Sequence, residues 1–202
     1  PIPGMSADIL NLDGKKVSTN EMGELVMRKS SIGLTKSLWN DDKRYIDNYW
    51  SVIKDYWVHG DLASRDADGH WYLHGRSDDT IKVSGKRIGP SELESVIVKS
   101  GKAKEVAAVG IPDANKGSKI ILSIVPAENN DQKESFFEDL VIKDLGKSFK
   151  PDKVIFVKDL PKTRNMKIMR RVIKSCLANQ DPGDLSTLLN PESVEEIRSH
   201  AI

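Results

Sequence analysis

The stretch from His59 to Arg87 reads H-G-D-L-A-S-R-D-A-D-G-H-W-Y-L-H-G-R-S-D-D-T-I-K-V-S-G-K-R. It holds parts suited to gripping a nucleotide. Asp61 follows Gly60, Arg76 precedes Asp78 and Asp79, and Ser84-Gly85-Lys86-Arg87 makes a turn with two cations. A carboxylate accepts hydrogen bonds from both ribose hydroxyls, and a guanidinium fork donates to ribose or phosphate oxygens. A glycine turn lets the backbone come close to a ligand. Residue type alone leaves plainer roles open. Asp61 could cap a turn after Gly60, Arg76 could pair with Asp78 or Asp79, and Arg87 could be a solvated turn arginine.

The elements that must position these residues fall into two patterns. Residues 7–12 and 24–28 read as strands joined by a turn at Asp13-Gly14. Residues 41–50 suit a short helix with Asp41 as cap, and 52–58 and 70–75 read as two further strands. After Asp78 the elements alternate. A strand is expected at 80–84, a helix at 90–100 with Pro90 at its first position, and strands at 104–111 and 119–126. A helix at 131–147, a strand at 153–158 and a helix at 167–178 follow. This order predicts a small α/β sandwich after a strand-rich region. Residues 181–202 read as a tail with one short helix near 192–200. Trp39, Trp50, Trp57 and Trp71 are expected to pack the strand-rich core.

The chain has 202 residues and a net charge of +1, so no global field draws it to nucleic acid or a membrane. Between Lys143 and Lys174, however, eight lysines and three arginines face three aspartates, a net of +8. Such a segment on a near-neutral protein points to a local anionic ligand. The single cysteine, Cys176, cannot form an internal disulfide, which fits a reducing compartment. With no apolar run of membrane length, a cytoplasmic protein is expected. The four histidines show no metal-ligand spacing with a cysteine or carboxylate partner. The opening Pro1-Ile2-Pro3-Gly4 reads as a connection, as if the chain were part of something longer.

Three stretches carry a family resemblance. They are His59 to Glu94, Leu160 to Arg171 (L-P-K-T-R-N-M-K-I-M-R-R) and Gly183 to Glu192 (G-D-L-S-T-L-L-N-P-E). With them the chain resembles the C-terminal portion of the adenylate-forming acyl-CoA synthetases, in the acetate/propionate branch. The resemblance implies an α+β chain. Residues 1–77 would be the strand-rich distal part of a large N-terminal adenylation domain. Residues 78–202 would be a small, mobile α/β C-terminal domain with a mixed sheet and flanking helices, hinged at Asp78. It further implies that a short carboxylate is activated with ATP and Mg²⁺ to acyl-AMP and passed to CoA. Asp61, Arg76 and Arg87 would contact ATP or AMP, and Lys167 would be the adenylation lysine. Ser84 and Gly85 would line the pantetheine path, with Lys143 near the CoA nucleotide. The main chain at Val98, Ser100 and Ala103 matches a metal position.

The chain departs from the family pattern twice. Asn165-Met166 stands where the family has Ser-Gly before the lysine, and Ile142 stands where related enzymes carry a CoA-binding arginine. The phosphate loop, adenine pocket and acyl pocket are not in these residues. The expected partner is therefore an N-terminal adenylation domain, in the same chain or from a split gene, and the chain alone is expected to be inactive with no tightly bound cofactor. A homo-oligomer is possible through exposed strands. Two other readings stay open. One is a stand-alone nucleotide- or CoA-binding module without catalysis. The other, least favoured, is nucleic-acid binding by the basic segment, which lacks interleaved aromatics.

Overall fold

A computed structural model describes residues 4–128 and 131–202. Pro1, Ile2 and Pro3, in the stretch read as a connection, lie outside the described residues. The chain divides into two units, Pro1–Asp78 and Asp79–Ile202.

The first unit is an antiparallel meander, β1 (Ala7–Leu10), β2 (Gly23–Met27), β3 (Trp57–Arg65) and β4 (Trp71–Arg76), hydrogen-bonded in that order. Helix α1 (Asp42–Tyr49) begins at Asp41, whose carboxylate accepts from Arg44 N at 3.2 Å, as expected of a cap. Its Tyr45 is buried with Met27 and Trp57, and Tyr49 stacks on Trp57 at 5.2 Å. A second small cluster joins Leu10, Val26, Ile53 and Val58. Of the four tryptophans only Trp57 is buried; Trp39 is 92% exposed, which corrects the expectation that it packs the core.

The strand expected at 52–58 is displaced. Residues 51–56 form turns, and β3 instead runs through Gly60 and Asp61. Glycine and aspartate are poor strand formers, which hid the element in the sequence. Pairing on both sides imposes it, with Val26 opposite Val58 and Asp61 opposite Arg76.

The second unit begins with a hairpin, β5 (Ile81–Val83) and β6 (Lys86–Ile88), followed by α2 (Pro90–Lys99). The sequence pattern anticipated one strand here, not two. Ser84 and Gly85 at φ 49 and 81 form the two-residue turn between them, the left-handed pair that suits the twist of a tight hairpin. Strands β7 (Ala103–Asp113) and β8 (Gly117–Pro126) pair antiparallel, and β9 (Lys153–Phe156) adds parallel to β8. Helix α3 (Glu134–Leu145) supplies the crossover that a parallel pair needs. Helices α4 (Arg170–Leu177) and α5 (Glu192–Arg198) complete the unit.

Alternation along the strands sorts two cores. Val106, Ala108, Ile120, Leu122 and Ile124 pack with Leu93 and Ile97 of α2 and Phe137 and Val141 of α3. Ala107, Val109, Ile121 and Ile155 pack with Val172, Ile173, Cys176 and Leu177 of α4 and Val194 and Ile197 of α5. The three-stranded sheet is thus covered on both faces, a mixed sheet with flanking helices. Cys176 is fully buried, and burial pushes its thiol up against the opposing effect of Arg198. The last residues are more than a tail. Leu185, Leu188, Val194 and Ile197 belong to the second core, and Arg171 donates to Pro182 O and Asp184 O.

Candidate functional site

In the first unit the sheet register sets Asp61 and Arg76 side by side. They are direct cross-strand partners on β3 and β4, with Arg76 Nη1 3.6 Å from Asp61 Oδ1. Arg76 also donates to His59 O at 3.3 Å and, through Nε, to Asp78 Oδ1 at 3.1 Å. His59 Nδ1 stands 2.8 Å from Asp61 Oδ2. The plain role of pairing with Asp78 and the nucleotide-holding one therefore share one geometry, a guanidinium held between the Asp61 and Asp78 carboxylates. Gly60 makes it possible. Its φ is +84, and a Cβ there would fall 2.8 Å from Arg76 Nη2. Tyr49, Val52, His59, Gly60, Arg76 and Asp78 line a cleft of about 310 Å³ within this unit. Asp61, the cross-strand partner of Arg76, is not among the residues that line it.

In the second unit Arg87 lies on β6, opposite Lys82, exposed and without an ion pair among the described residues. Ser84 and Gly85 are exposed at the hairpin turn, and nothing lies within 4 Å of where a Gly85 Cβ would sit. The glycine there serves the positive φ, and the space beside it is open. Lys143 is exposed on α3, one residue after the half-buried Ile142. Val98 and Ser100 end α2 and Ala103 opens β7. Val98 O accepts from Gly101 N at 3.0 Å, while Ser100 Oγ donates to Ile97 O and accepts from Lys102 N. Main-chain carbonyls at a helix C-terminus carry partial negative charge, which is compatible with a cation.

Lys167 does not begin a helix, as the periodicity predicted; α4 starts at Arg170. It sits at the end of a three-residue loop, 164–166. Thr163 N donates to Lys167 O at 2.9 Å, Met166 N to Thr163 O at 2.8 Å, and Lys167 N to Thr163 Oγ1 at 3.2 Å. Met166 takes φ 61, the left-handed residue that closes a loop of this type. The Lys167 ammonium is exposed and makes no hydrogen bond or ion pair among the described residues. It is free to meet an anion.

The residues that hold this loop were not singled out from the sequence. Lys162 is 6% exposed, with its ammonium 2.6 Å from both Glu105 Oε2 and Asp159 Oδ1. Asn190 donates to Asp159 Oδ2 at 2.7 Å and Leu160 O at 2.8 Å, and accepts from Lys162 N at 3.0 Å. Residues 187–189 bond along the loop as well, through Leu189 N to Lys162 O and Arg164 N to Thr187 O. Burial works to lower the Lys162 ammonium, but its bonds to Asp159 and Glu105 outweigh that and push it up. Burial likewise works to raise Asp159, and Lys162, the Leu160 N–H and Asn190 together hold it below its ordinary value. A buried lysine must be paired in this way. The visible signal was a lysine directly after the apolar pair Leu160-Pro161.

Part of the basic segment is spent on the fold. Arg170 forms a two-pronged pair with Glu94 at 2.9 and 2.7 Å, Lys153 donates to His200 O, and Lys162 is buried. The histidines, expected to be bland, include one group with ligand-type atoms close together. Asp66, Asp68 and His70 lie within 4.8 Å of one another at the β3–β4 turn. Asp66 there accepts from His70 N at 2.8 Å and the Tyr72 hydroxyl at 3.0 Å, bonds that build the turn.

Comparison with known proteins agrees with this architecture. Residues 92–167 match the family model of the AMP-binding enzyme C-terminal domain. The chain is 40% identical over 204 residues to an acetyl-coenzyme A synthetase of Methanothrix thermoacetophila, covering 98% of this chain and 31% of that protein. It is also 40% identical over 212 residues to an acetyl-coenzyme A synthetase of Helicobacter pylori, covering 98% and 32%. The chain thus spans about a third of the length of the curated relatives it matches. Among solved structures, acetoacetyl-CoA synthetase from Streptomyces lividans has the same fold, with a TM-score of 0.84 over 96% of this chain and 30% of that one at 22% identity. An anthranilate CoA ligase in complex with anthranoyl-AMP matches with a TM-score of 0.71 at 28% identity, over 84% of this chain and 33% of that one. No helix among the described residues is long and apolar enough to cross a membrane. Residues 92–167 thus match the AMP-binding enzyme C-terminal domain, and the chain as a whole is similar to about a third of the acetyl-coenzyme A synthetases.

Proposed function

We propose that this chain serves an AMP-forming acid–thiol ligase acting on acetate or propionate, and that it supplies that enzyme's ribose contacts, hinge and adenylation lysine. The observation that carries this reading is the pairing of Asp61 with Arg76 next to Asp78, together with an unpaired lysine on a braced loop. In the first half-reaction a carboxylate oxygen attacks the α-phosphorus of ATP. The bond to the β-phosphate breaks, and pyrophosphate leaves. In the second, the CoA sulfur attacks the acyl carbon, its proton goes to solvent, and AMP leaves.

Asp61 accepts from the ribose hydroxyls, and Arg76 donates to the ribose side while holding Asp61 in place. Arg87 donates to the AMP phosphate. Each charge-assisted bond is worth about 1.5–3 kcal/mol. Lys167 brings an ammonium to the charge growing on the α-phosphoryl group, an electrostatic role. Asp78, at the border between the two units, is the hinge. Ser84 and Gly85 line the pantetheine path and Lys143 lies toward the CoA nucleotide. The carbonyls of Val98, Ser100 and Ala103 would hold a cation at the end of α2.

The partner is an N-terminal adenylation domain bearing the phosphate loop and acyl pocket. The alternative of a nucleotide- or CoA-binding module without catalysis draws on the Asn165-Met166 departure. Met166 nonetheless keeps the left-handed turn that glycine would supply, which favours the catalytic reading. The test supplies that adenylation domain and measures pyrophosphate release with ATP and acetate. The chain alone gives none, the pair gives release, and Lys167→Ala lowers it by about 10²–10³-fold. Release undiminished by that substitution removes Lys167 from the chemistry.

A further inference from the structure

Asp61 has a neighbour on its own strand as well as one across it. Trp57, His59 and Asp61 alternate along β3, and contacts between their side chains place them on one face. His59 Nδ1 lies 2.8 Å from Asp61 Oδ2, while Arg76 Nη1 lies 3.6 Å from Asp61 Oδ1. Each carboxylate oxygen therefore has its own nitrogen. Nδ1 is shielded from solvent, and its approach to Oδ2 is short without the alignment of a hydrogen bond. A lone pair on that nitrogen would face carboxylate lone pairs at 2.8 Å, which is repulsive, so the ring proton belongs on Nδ1. An aromatic row holds the ring in place. Trp57 meets it edge-on at 5.7 Å, Tyr49 stacks on Trp57 at 5.2 Å, and Tyr45 lies 5.5 Å from Tyr49. Helix α1 thus backs the imidazole.

We infer that His59 is a positioning residue for ribose recognition. With Arg76 it fixes the Asp61 carboxylate, each through a different oxygen, so that both hydroxyls of one ribose are met. An ionised carboxylate offers about four lone-pair sites. His59 and Arg76 occupy one on each oxygen. One on each oxygen is left, which is what the 2′- and 3′-hydroxyls of a ribose require. Without His59 the terminal torsion of Asp61 is soft, and the two acceptors lose their set orientation. The ribose as target rests on the ligase reading above; the proton on Nδ1 does not.

Two measurements test it. On the full 202-residue chain, nitrogen-15 NMR of the histidine rings, at a pH where they are neutral, should find the His59 proton on Nδ1. Asp61→Ala should remove that preference. With the adenylation domain supplied, pyrophosphate release should show KM for ATP about tenfold higher in His59→Ala and kcat little changed, the mark of lost uniform binding. His59→Asn, whose amide can place an N–H near the position of Nδ1, should restore most of the loss. With 2′,3′-dideoxy-ATP, which has no hydroxyl for Asp61, wild type and His59→Ala should share one KM. Circular dichroism checks that the variants fold. A proton on Nε2, an equal KM rise with both nucleotides, a fall in kcat at unchanged KM, or no recovery with His59→Asn each overturns the proposal. The equal rise is what a merely structural role would give. Failure of the ligase reading looks different. The wild type then releases no pyrophosphate, or Asp61→Ala itself leaves KM for ATP unchanged, and the proposal falls with it.

Discussion

Met166 offers a direct measure of how the Lys167 loop is held. Its backbone lies at φ 61, where a side chain is disfavoured, and its side chain is 60% exposed, so little packing offsets that cost. An L-residue in this region costs about 1–2 kcal/mol relative to the right-handed one. Replacement by glycine removes the clash but adds freedom to the unfolded chain, a loss of about 0.4–1 kcal/mol. The difference leaves Met166→Gly more stable by roughly 0.5–1 kcal/mol. For a chain of this length that corresponds to a rise of about 1–4 °C in Tm. Thermal and urea unfolding of the wild-type chain, Met166→Gly and Asn165→Gly would measure it. Asn165 does not have a positive φ, so its glycine variant should lose stability. If Met166→Gly proves no more stable than wild type, the left-handed loop closure is wrong, and with it the account of how Lys167 is presented.

Gly60→Ala should destabilise the first unit by about 1–3 kcal/mol, since it combines an unfavourable φ with a Cβ placed 2.8 Å from Arg76 Nη2; urea unfolding would measure this. Asn190→Ala strands partners of Asp159, Leu160 O and Lys162 N, and should cost about 2–4 kcal/mol by the same method. The Asp159 carboxyl is held below its ordinary value of 3.8, so its stabilisation is complete above that pH and is lost as the pH falls through the lower folded value. Asp159→Asn should therefore flatten the acid limb of the stability profile below pH 3.8. Lys162 is raised above its ordinary 10.5, so its stabilisation is present below that pH and is lost as the pH climbs past it. Lys162→Met should remove that alkaline loss.

Much of the fold could be read from the sequence because its signals are local. Pro90 and the spacing of Leu93, Val96 and Ile97 marked α2, and the apolar runs through Val106–Val109 and Ile120–Val125 marked the central strands. The misses have one cause in common. β3 crosses Gly60 and Asp61, residues that disfavour strands, and only its neighbours on both sides make it one. α4 starts three residues late because Ile168 bridges back to Lys162, and a strand-like pairing overrides a helical period. The tail joins the second core for the same reason, since the partners of Leu188 and Ile197 lie far away in the sequence.

Residue types determined the chemical inventory by themselves. A carboxylate, two arginines and a lysine at 61, 76, 87 and 167 keep their charge-bearing character wherever the chain puts them. Tertiary structure decided which of them meet. The β3–β4 register, a property of two strands rather than of either alone, set Arg76 against Asp61. Burial decided which lysines are bound to the fold, as Lys162 is, and which are left free for an anion, as Lys167 is, because a buried charge must find a partner and an exposed one need not.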